Sequence, residues 1–278
     1  MGADCMQIFI SPPQSWRSPQ FGDAEVAAFK ARRRTILDEV GAAAAREARG
    51  EDGLFGPVFL HTIYLINLVS ATPSLQERSV RSLASYLDWA HRLGVEGVIT
   101  HLGSARDVGA EEAARMLPEV LARVLASAAG EVPLLLETTA GPGAVLGSRF
   151  EELAAAMSAL GWPARLRVCL DTAHVFASGL YDGTPAGLER MLADFDATIG
   201  LPRLMAIHLN DSKTAFGSRA DRHANIGEGL LGVTGLRPFL QHPALRHLPF
   251  LLEVPGRDRE GPRSVDIATA KALAGNAS

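Results

Sequence analysis

The sequence predicts an α/β protein in which strands and helices alternate along a single domain, residues 1–278. Three observations support this class. Short runs rich in Leu, Val and Ile alternate with longer helical patterns. Each short run is almost continuously apolar, as expected for strands of a parallel sheet that is covered on both faces. No low-complexity linker interrupts the alternation. Such repeated βα units indicate either a (β/α) barrel or a doubly wound sheet.

Seven strands are predicted, one fewer than the eight of a complete (β/α) barrel. The helices after the second and fifth strands begin with favourable Thr-Pro signals, at Thr72-Pro73 and Thr184-Pro185. The predicted strands are residues 5–10, 58–62, 95–101, 133–138, 166–171, 204–210 and 249–254, and the predicted helices are 24–48, 75–93, 111–129, 149–160, 185–199, 233–241 and 264–274.

The composition excludes several classes of protein. Hydrophobic residues make up 47% and charged residues 21% of the chain, which excludes a disordered chain, a collagen-like fibre and a disulfide scaffold. The net charge of −4 gives no sign of a nucleic-acid partner. Cys5 and Cys169 lie in apolar runs and predict reduced thiols. With no signal peptide and no 18-residue apolar run, we expect a cytoplasmic protein of the bacterial cytosol or nucleoid with no membrane partner.

Residue types that bind metals stand at the carboxyl ends of six predicted strands in succession, or in the loops that follow. In a (β/α) barrel these ends form the active-site face, so the side chains should converge. A single His or acid at such a position is usually structural, but a series of six argues against that explanation for the set. The nine residues are His61, His101, Glu137, Asp171, His174, His208, Asp221, His223 and Glu253.

Five imidazoles and four carboxylates suit zinc, or manganese in a mixed site. Nine ligands are too many for one tetrahedral ion and suit two or three ions, especially if a carboxylate bridges. Sites with several ions are characteristic of phosphate-ester hydrolysis. The sequence contains no nucleophile elbow, no P-loop and no dinucleotide-binding motif after a strand, so other chemistries have weaker support.

Six segments of the sequence resemble the endonuclease IV family of abasic-site DNA repair enzymes. The resemblance runs from about residue 2 to the end of the chain, and it implies a TIM-type (β/α)8 barrel of the xylose isomerase-like group. The last three segments are together close to diagnostic. The segments are HTIYLINL (61–68), THLGS (100–104), ETTAGPG (137–143), CLDTAHVFAS (169–178), HLNDSK (208–213) and GSRADRHANIGEG (217–229).

The resemblance also implies three zinc ions per chain, with manganese as an alternative at one site. Three divalent ions would change the formal net charge from −4 to about +2, so the cofactor would carry the charge that attracts a phosphate. The implied ligands are His61, His101 and Glu137 for the first ion, Glu137, Asp171, His208 and Glu253 for the second, and His174, Asp221 and His223 for the third, and the implied catalytic residues are Glu137, Glu253 and His174.

The implied reaction belongs to base excision repair. A metal-activated hydroxide hydrolyses the phosphodiester 5′ to an apurinic or apyrimidinic site and leaves a 3′-hydroxyl. Removal of blocking groups from 3′ ends is the related phosphodiesterase activity. The implied partner is double-stranded DNA with abasic sites or blocked 3′ ends, and the family expectation is a monomer.

Contacts with DNA follow from the same resemblance. Two residues match a loop that wedges into the duplex at the lesion, although a core aromatic and a core leucine would give the same pattern. Gln14 stands where the family usually has an arginine, and Arg17 could take the role of that arginine. The implied DNA-binding residues are Tyr64 and Leu65 in the wedge loop, Gln14 and Trp16 after the first predicted strand, and Lys213, Arg219 and Arg222 as contacts to phosphates.

One departure from the family lies at the start of the chain. The family opens with a strand and a helix that have no counterpart here, and the first predicted strand matches the family's second. We therefore expect an N-terminally truncated chain, with a natural seven-stranded variant as the alternative. Two other functions stay open. One is a sugar isomerase or epimerase of related architecture, against which the third ligand group argues, and the other is an inactive relic that binds DNA or metal.

Overall fold

A computed structural model describes residues 2–39, 55–257 and 259–275. Strands and helices alternate along this part of the chain, as the sequence predicts. In order they are β1 (Met6–Ile8), α1 (Asp23–Glu39), β2 (Val58–His61), α2 (Pro73–Leu93), β3 (Gly97–Thr100), α3 (Ala110–Ser127), β4 (Leu134–Glu137), α4 (Phe150–Ala159), β5 (Leu166–Asp171), α5 (Thr172–Ser178), α6 (Pro185–Thr198), a 3-10 turn (Leu201–Arg203), β6 (Leu204–His208), β7 (Asp211–Ser212), β8 (His223–Ala224), α7 (Gly232–Gln241), β9 (Phe250–Leu251) and α8 (Ser264–Ala274).

Seven parallel strands form one sheet in the order β1-β2-β3-β4-β5-β6-β9. The sheet curves into a nearly closed barrel, which confirms the predicted α/β class and the seven βα units. Within the described residues, the two outer strands β1 and β9 share no backbone pairing. Side chains bridge them, because the Cys5 thiol donates to the carbonyl of Phe250 at 3.4 Å and Lys271 of α8 pairs with Asp4 at 2.8 Å.

The two faces of the sheet carry two separate apolar layers. On β2, Val58 and Leu60 pack outward against the helices, whereas Phe59 points into the barrel. Alternation of this kind follows from the two-residue period of a strand. Full burial of one such side chain contributes about 1.5–3 kcal/mol. The interior layer consists of Phe59, Ile99, Leu135, Cys169, Ala206 and Leu251.

Several boundaries differ from those predicted. The last strand is Phe250–Leu251, shorter than the predicted 249–254, and residues 40–48 of the first predicted helix lie outside the described residues. The short helix Thr172–Ser178 follows β5 directly and was not predicted. Its first turn forms because the Asp171 carboxylate accepts the backbone N–H of His174 at 2.8 Å. In the part of the chain that is described, each helix is too short or too polar to cross a bilayer.

Candidate metal centre

A ring of polar side chains lies directly above the interior apolar layer, at the carboxyl ends of the strands. Each predicted ligand of the ring stands two residues after a member of that layer, as in Phe59 to His61 and Leu135 to Glu137. Because strand side chains repeat every two residues, both members of each pair point into the barrel. The strand register therefore delivers six predicted ligands to one place: His61, His101, Glu137, Asp171, His208 and Glu253.

The first group within the ring contains His61, His101 and Glu137. The Nε2 atoms of His61 and His101 lie 3.1 and 3.5 Å from Oε2 of Glu137. The ligand atoms of the three residues lie within 4.8 Å of one another. The structure thus brings together the residues that the resemblance assigns to one ion.

The second group contains Glu137, Asp171, His208 and Glu253, again within 4.8 Å. Nδ1 of His208 lies 3.0 Å from Oε1 of Glu137 and 3.2 Å from Oε2 of Glu253. Glu137 is fully buried and belongs to both groups, because its Oε2 faces the first group and its Oε1 faces the second. This is the position that a bridging carboxylate requires.

The third group lies further out and includes residues from a loop. His174 and His223 form a cluster with Asp171. Asp221, which the resemblance assigns to this group, lies 3.2 Å from Nε2 of His174 through Oδ2 and 3.2 Å from Nε2 of His223 through Oδ1. Its side chain is 44% exposed, whereas that of His174 is 2% exposed. This group is therefore the one most open to solvent.

The hydrogen bonds of the histidines show that the centre suits a cation. Nδ1 of His61 and Nδ1 of His174 lie 2.8 Å from the carbonyl oxygens of Thr62 and Thr138, to which they must donate. In a neutral ring the other nitrogen then carries a lone pair, and in both residues it faces a carboxylate. Two acceptors face each other only if a proton or a metal ion lies between them. Imidazole and carboxylate donors together suit zinc.

Two buried ring nitrogens of the third group support the same conclusion. In the described structure, Nε2 of His174 and Nε2 of His223 make no hydrogen bond, although each lies 3.2 Å from a carboxylate oxygen of Asp221. A buried polar atom without a hydrogen bond is costly and is rare in folded proteins. Bonds to a metal ion would satisfy both nitrogens.

The charges in the centre hold one another in their ionised forms. Burial alone would raise the pKa of Glu137, but His101 and His208 lower it well below its usual value. Burial also opposes the charged form of His174, yet Asp171 and Asp221 raise its pKa to about 10. In the metal-free chain, a proton therefore occupies His174 at neutral pH, and metal uptake at this residue has to displace it.

Asp211 holds the loop that carries the outer ligands. Its buried carboxylate accepts five backbone N–H groups at 2.8–3.1 Å, one from Ser212 in β7 and four from residues 227–232, which follow β8 at the base of the loop. A Cβ atom on Gly229 would collide with this carboxylate, so the loop needs glycine there. The antiparallel pair β7–β8 closes the same loop and places His223 at the centre. The five donors are the N–H groups of Ser212, Gly227, Gly229, Leu231 and Gly232.

Of the two residues in the predicted wedge loop, Tyr64 is exposed and Leu65 is partly buried. The ring of Tyr64 is 54% exposed, with its centroid 5.7 Å from that of His61 and 6.5 Å from that of His101. Tyr64 therefore stands at the rim, next to the first ligand group. Leu65 packs against the core beneath it. This agrees with the alternative interpretation of Leu65 as a core leucine.

The other predicted DNA contacts lie on two segments, the loop after β1 and the loop between β7 and β8 with its flanks. Gln14 is exposed, and Trp16 packs against the core with the guanidinium of Arg78 5.5 Å from its ring centroid. Lys213 and Arg222 are exposed on β7–β8 and its loop. Arg219 is exposed too, but its Nε donates to the carbonyl of Gly141 at 3.0 Å, which fixes part of its guanidinium.

Sequence reasoning missed three residues that hold the ligands in place. The amide of Asn210 donates to Oδ2 of Asp171 at 2.6 Å and accepts the backbone N–H of Glu253 at 2.8 Å. Asp211 and Gln7 complete the set. For Gln7 a signal existed, because it is the one polar residue in the apolar run CMQIFI and stands two residues after Cys5.

Comparisons with known proteins agree with this fold. Residues 1–273 match the model of the xylose isomerase-like TIM barrel family. "Probable endonuclease 4" of Natronomonas pharaonis is 39% identical over 251 residues, which are 90% of this chain and 83% of the relative. The crystal structure of endonuclease IV from Thermus thermophilus superposes with a TM-score of 0.79 at 35% identity, covering 99% of this chain and 91% of that one.

A more distant likeness concerns the fold alone. A D-tagatose 3-epimerase-like protein is 15% identical, with a TM-score of 0.61, over 97% of this chain and 86% of that one. The first two relatives are 39% and 35% identical to this chain, compared with 15% for the epimerase-like protein. This chain belongs to the endonuclease IV family.

Proposed function

We propose that this chain is a zinc-dependent abasic-site endonuclease of base excision repair. It hydrolyses the phosphodiester 5′ to an apurinic or apyrimidinic site, leaves a 3′-hydroxyl, and also removes blocking groups from 3′ ends. The observation that carries the proposal is the convergence of three ligand groups at one end of the barrel, directly beneath an exposed tyrosine. Membership of a family whose relatives are named endonucleases supports it.

The residues at this end would hold three zinc ions, with manganese acceptable at one position. Bound there, the ions supply a water of lowered pKa and positive charge opposite the phosphate. Glu137 uses both oxygens and so keeps the first and second groups at a fixed separation. His174 and Glu253 each complete a group, and with Glu137 they are the proposed catalytic residues.

The rim would recognise the DNA. Tyr64 has the exposure and position to fill the space of a missing base, because an aromatic ring stacks on neighbouring bases without regard to their sequence. Leu65 supports the loop from below. Lys213 and Arg222 are free of carboxylate contacts in the described structure and would bind phosphates, as would Arg219. Gln14 and Trp16, in the loop after β1, are the other proposed contacts to DNA. We propose a monomer acting on double-stranded DNA in the cytoplasm.

The test is incision of a duplex that contains a single stable abasic analogue, without added magnesium, while the metal content is measured in parallel. We expect cleavage 5′ to the lesion, about three zinc ions per chain, and no cleavage of the undamaged duplex. His174→Ala and Glu253→Ala should abolish cleavage, and Glu151→Ala, an exposed change on α4, should not. A folded, metal-loaded chain that leaves the lesion intact would overturn the proposal.

A further inference from the structure

One strand of the barrel contributes a different kind of residue to the polar ring. On six strands the residue two positions after the interior apolar layer is a His, Asp or Glu of the candidate metal centre. On β1 the equivalent residue is Gln7, which follows Cys5, a residue packed against the same apolar layer. A carboxamide is a poor ligand for zinc compared with imidazole or carboxylate, so Gln7 has another task in this ring.

The side chain of Gln7 joins two candidate ligands. Its Nε2 lies 2.6 Å from Oε1 of Glu253, and its Oε1 lies 2.8 Å from Nε2 of His208. An ionised carboxylate only accepts hydrogen bonds, so the NH2 group of the amide must face Glu253. The amide oxygen then faces His208, and since this oxygen only accepts, Nε2 of His208 must carry the hydrogen.

The proton on Nε2 has a consequence at the other ring nitrogen. A neutral His208 with its hydrogen on Nε2 has a lone pair on Nδ1. Nδ1 faces the second ligand group, at 3.0 Å from Glu137, 3.2 Å from Glu253 and 3.8 Å from Asp171. The amide of Gln7 donates to Oε1 of Glu253, and Oε2 of Glu253 faces the second ligand group.

We infer that Gln7 is a positioning residue that selects the Nε2–H form of His208 and orients the carboxylate of Glu253, so that both present their free atoms to one metal ion. The inference rests on the proposed function only in requiring a metal at the second group. Hydrogen bonds to the far side of a ligand are known to fix its orientation and tautomer in metal sites.

The place of Gln7 in the fold explains why this contact matters. Among the described residues, β1 and β9 are the two outer strands of the sheet and have no backbone pairing with each other, and β9 is two residues long. The backbone N–H of Glu253, just beyond β9, is held by Asn210, but its carboxylate reaches across to β1 through Gln7. Gln7 therefore links the edge of the barrel to the metal centre at the point where backbone pairing is missing.

The test measures zinc alone, with no DNA. Gln7→Met keeps the length of the side chain but removes its hydrogen bonds to Glu253 and His208. In this variant, competition with a chromophoric chelator should show one zinc ion bound about 10- to 100-fold more weakly. The other two ions should keep their wild-type affinity. The control is Gln241→Met, which removes a carboxamide hydrogen bond at the end of α7, far from the centre, and should change none of the three.

A second measurement uses the wild-type protein and does not depend on the folding of a variant. Two-bond ¹H–¹⁵N spectra of the zinc-loaded chain, with His208 assigned by comparison with His208→Gln, should show hydrogen on Nε2 and the metal on Nδ1. Equal zinc affinities in wild type and Gln7→Met, or coordination of His208 through Nε2, would overturn the inference. A chain that shows the Gln7 effect and fails to incise DNA would overturn the proposed function and leave the inference standing.

Discussion

The candidate metal centre has an inner part, built on strands, and an outer part, built on a loop. His61, Glu137 and His208 are almost fully buried, and each stands on a paired strand of the sheet. Asp221 and His223 are 44% and 14% exposed and stand on a loop whose base one carboxylate, Asp211, holds through the backbone N–H groups of residues that follow β8. The inner and outer parts of this one site therefore have separate structural supports, the sheet and the loop. We expect that a substitution can disrupt one part and leave the other intact.

The largest effect should come from the residue shared by the two inner groups. Glu137→Gln removes the negative charge between them, and we expect loss of both inner ions and a fall in incision of about 10³-fold or more, the scale typical of groups that stabilise transition-state charge. Glu151→Gln on α4 is the matched control. Metal analysis and incision assays check the result, and retention of all metal ions in Glu137→Gln would show that the two inner groups are independent.

A smaller and more selective effect is expected at the outer part. Asp211→Ala leaves five backbone N–H groups without their acceptor, so the loop with Asp221 and His223 should lose its fixed conformation. We expect the zinc content to fall by the outer ion, with the inner ions retained and incision about 100-fold slower. Asp194→Ala, at an exposed position of α6, is the control. Simultaneous loss of all ions would mean that the two parts are not separable.

At the rim, Tyr64→Ala tests recognition apart from metal binding. Loss of stacking by this exposed ring should reduce incision of an abasic duplex about 10-fold, since a base–aromatic stack contributes about 1–3 kcal/mol. Zinc content should stay at the wild-type level. Val265→Ala removes another exposed apolar side chain, on α8, and should have no effect. A Tyr64→Ala protein with lower zinc content would place this residue within the metal centre instead.

The last prediction concerns stability and not incision, as a pH dependence of the metal-free chain. The pKa of His174 is raised from 6.5 to about 10, so its contribution to the free energy of unfolding is complete below about pH 6.5 and is lost as the pH rises toward 10. The pKa of Glu137 is lowered well below its usual value of 4.5, so the ionised Glu137 contributes to the free energy of unfolding above pH 4.5. This contribution is lost as the pH falls below 4.5. Denaturant titrations should therefore find that the stability falls as the pH rises from about 6.5 toward 10. Stability that rises from pH 7 to 10 would contradict this.

Periodicity alone determined the class of the fold. Strands buried on both faces must be apolar throughout, so the alternation of such runs with helical patterns predicted seven parallel strands, and the structure confirms them. Short-range hydrogen bonds were less visible in the sequence. The helix Thr172–Ser178 follows β5 without a loop because the side chain of Asp171 caps it, and a residue read as the end of a strand gave no sign of that.

The sequence by itself also determined which residue types stand at the strand ends, and the two-residue period is the reason that they converge. Only the tertiary structure decided how they group, because distances between side chains on different strands depend on register and curvature. It placed Asp171 beside His174 and His223, and it assigned Asp211 to the support of the outer loop. It also gave Gln7 partners 201 and 246 residues away, a contact that sequence spacing does not reveal.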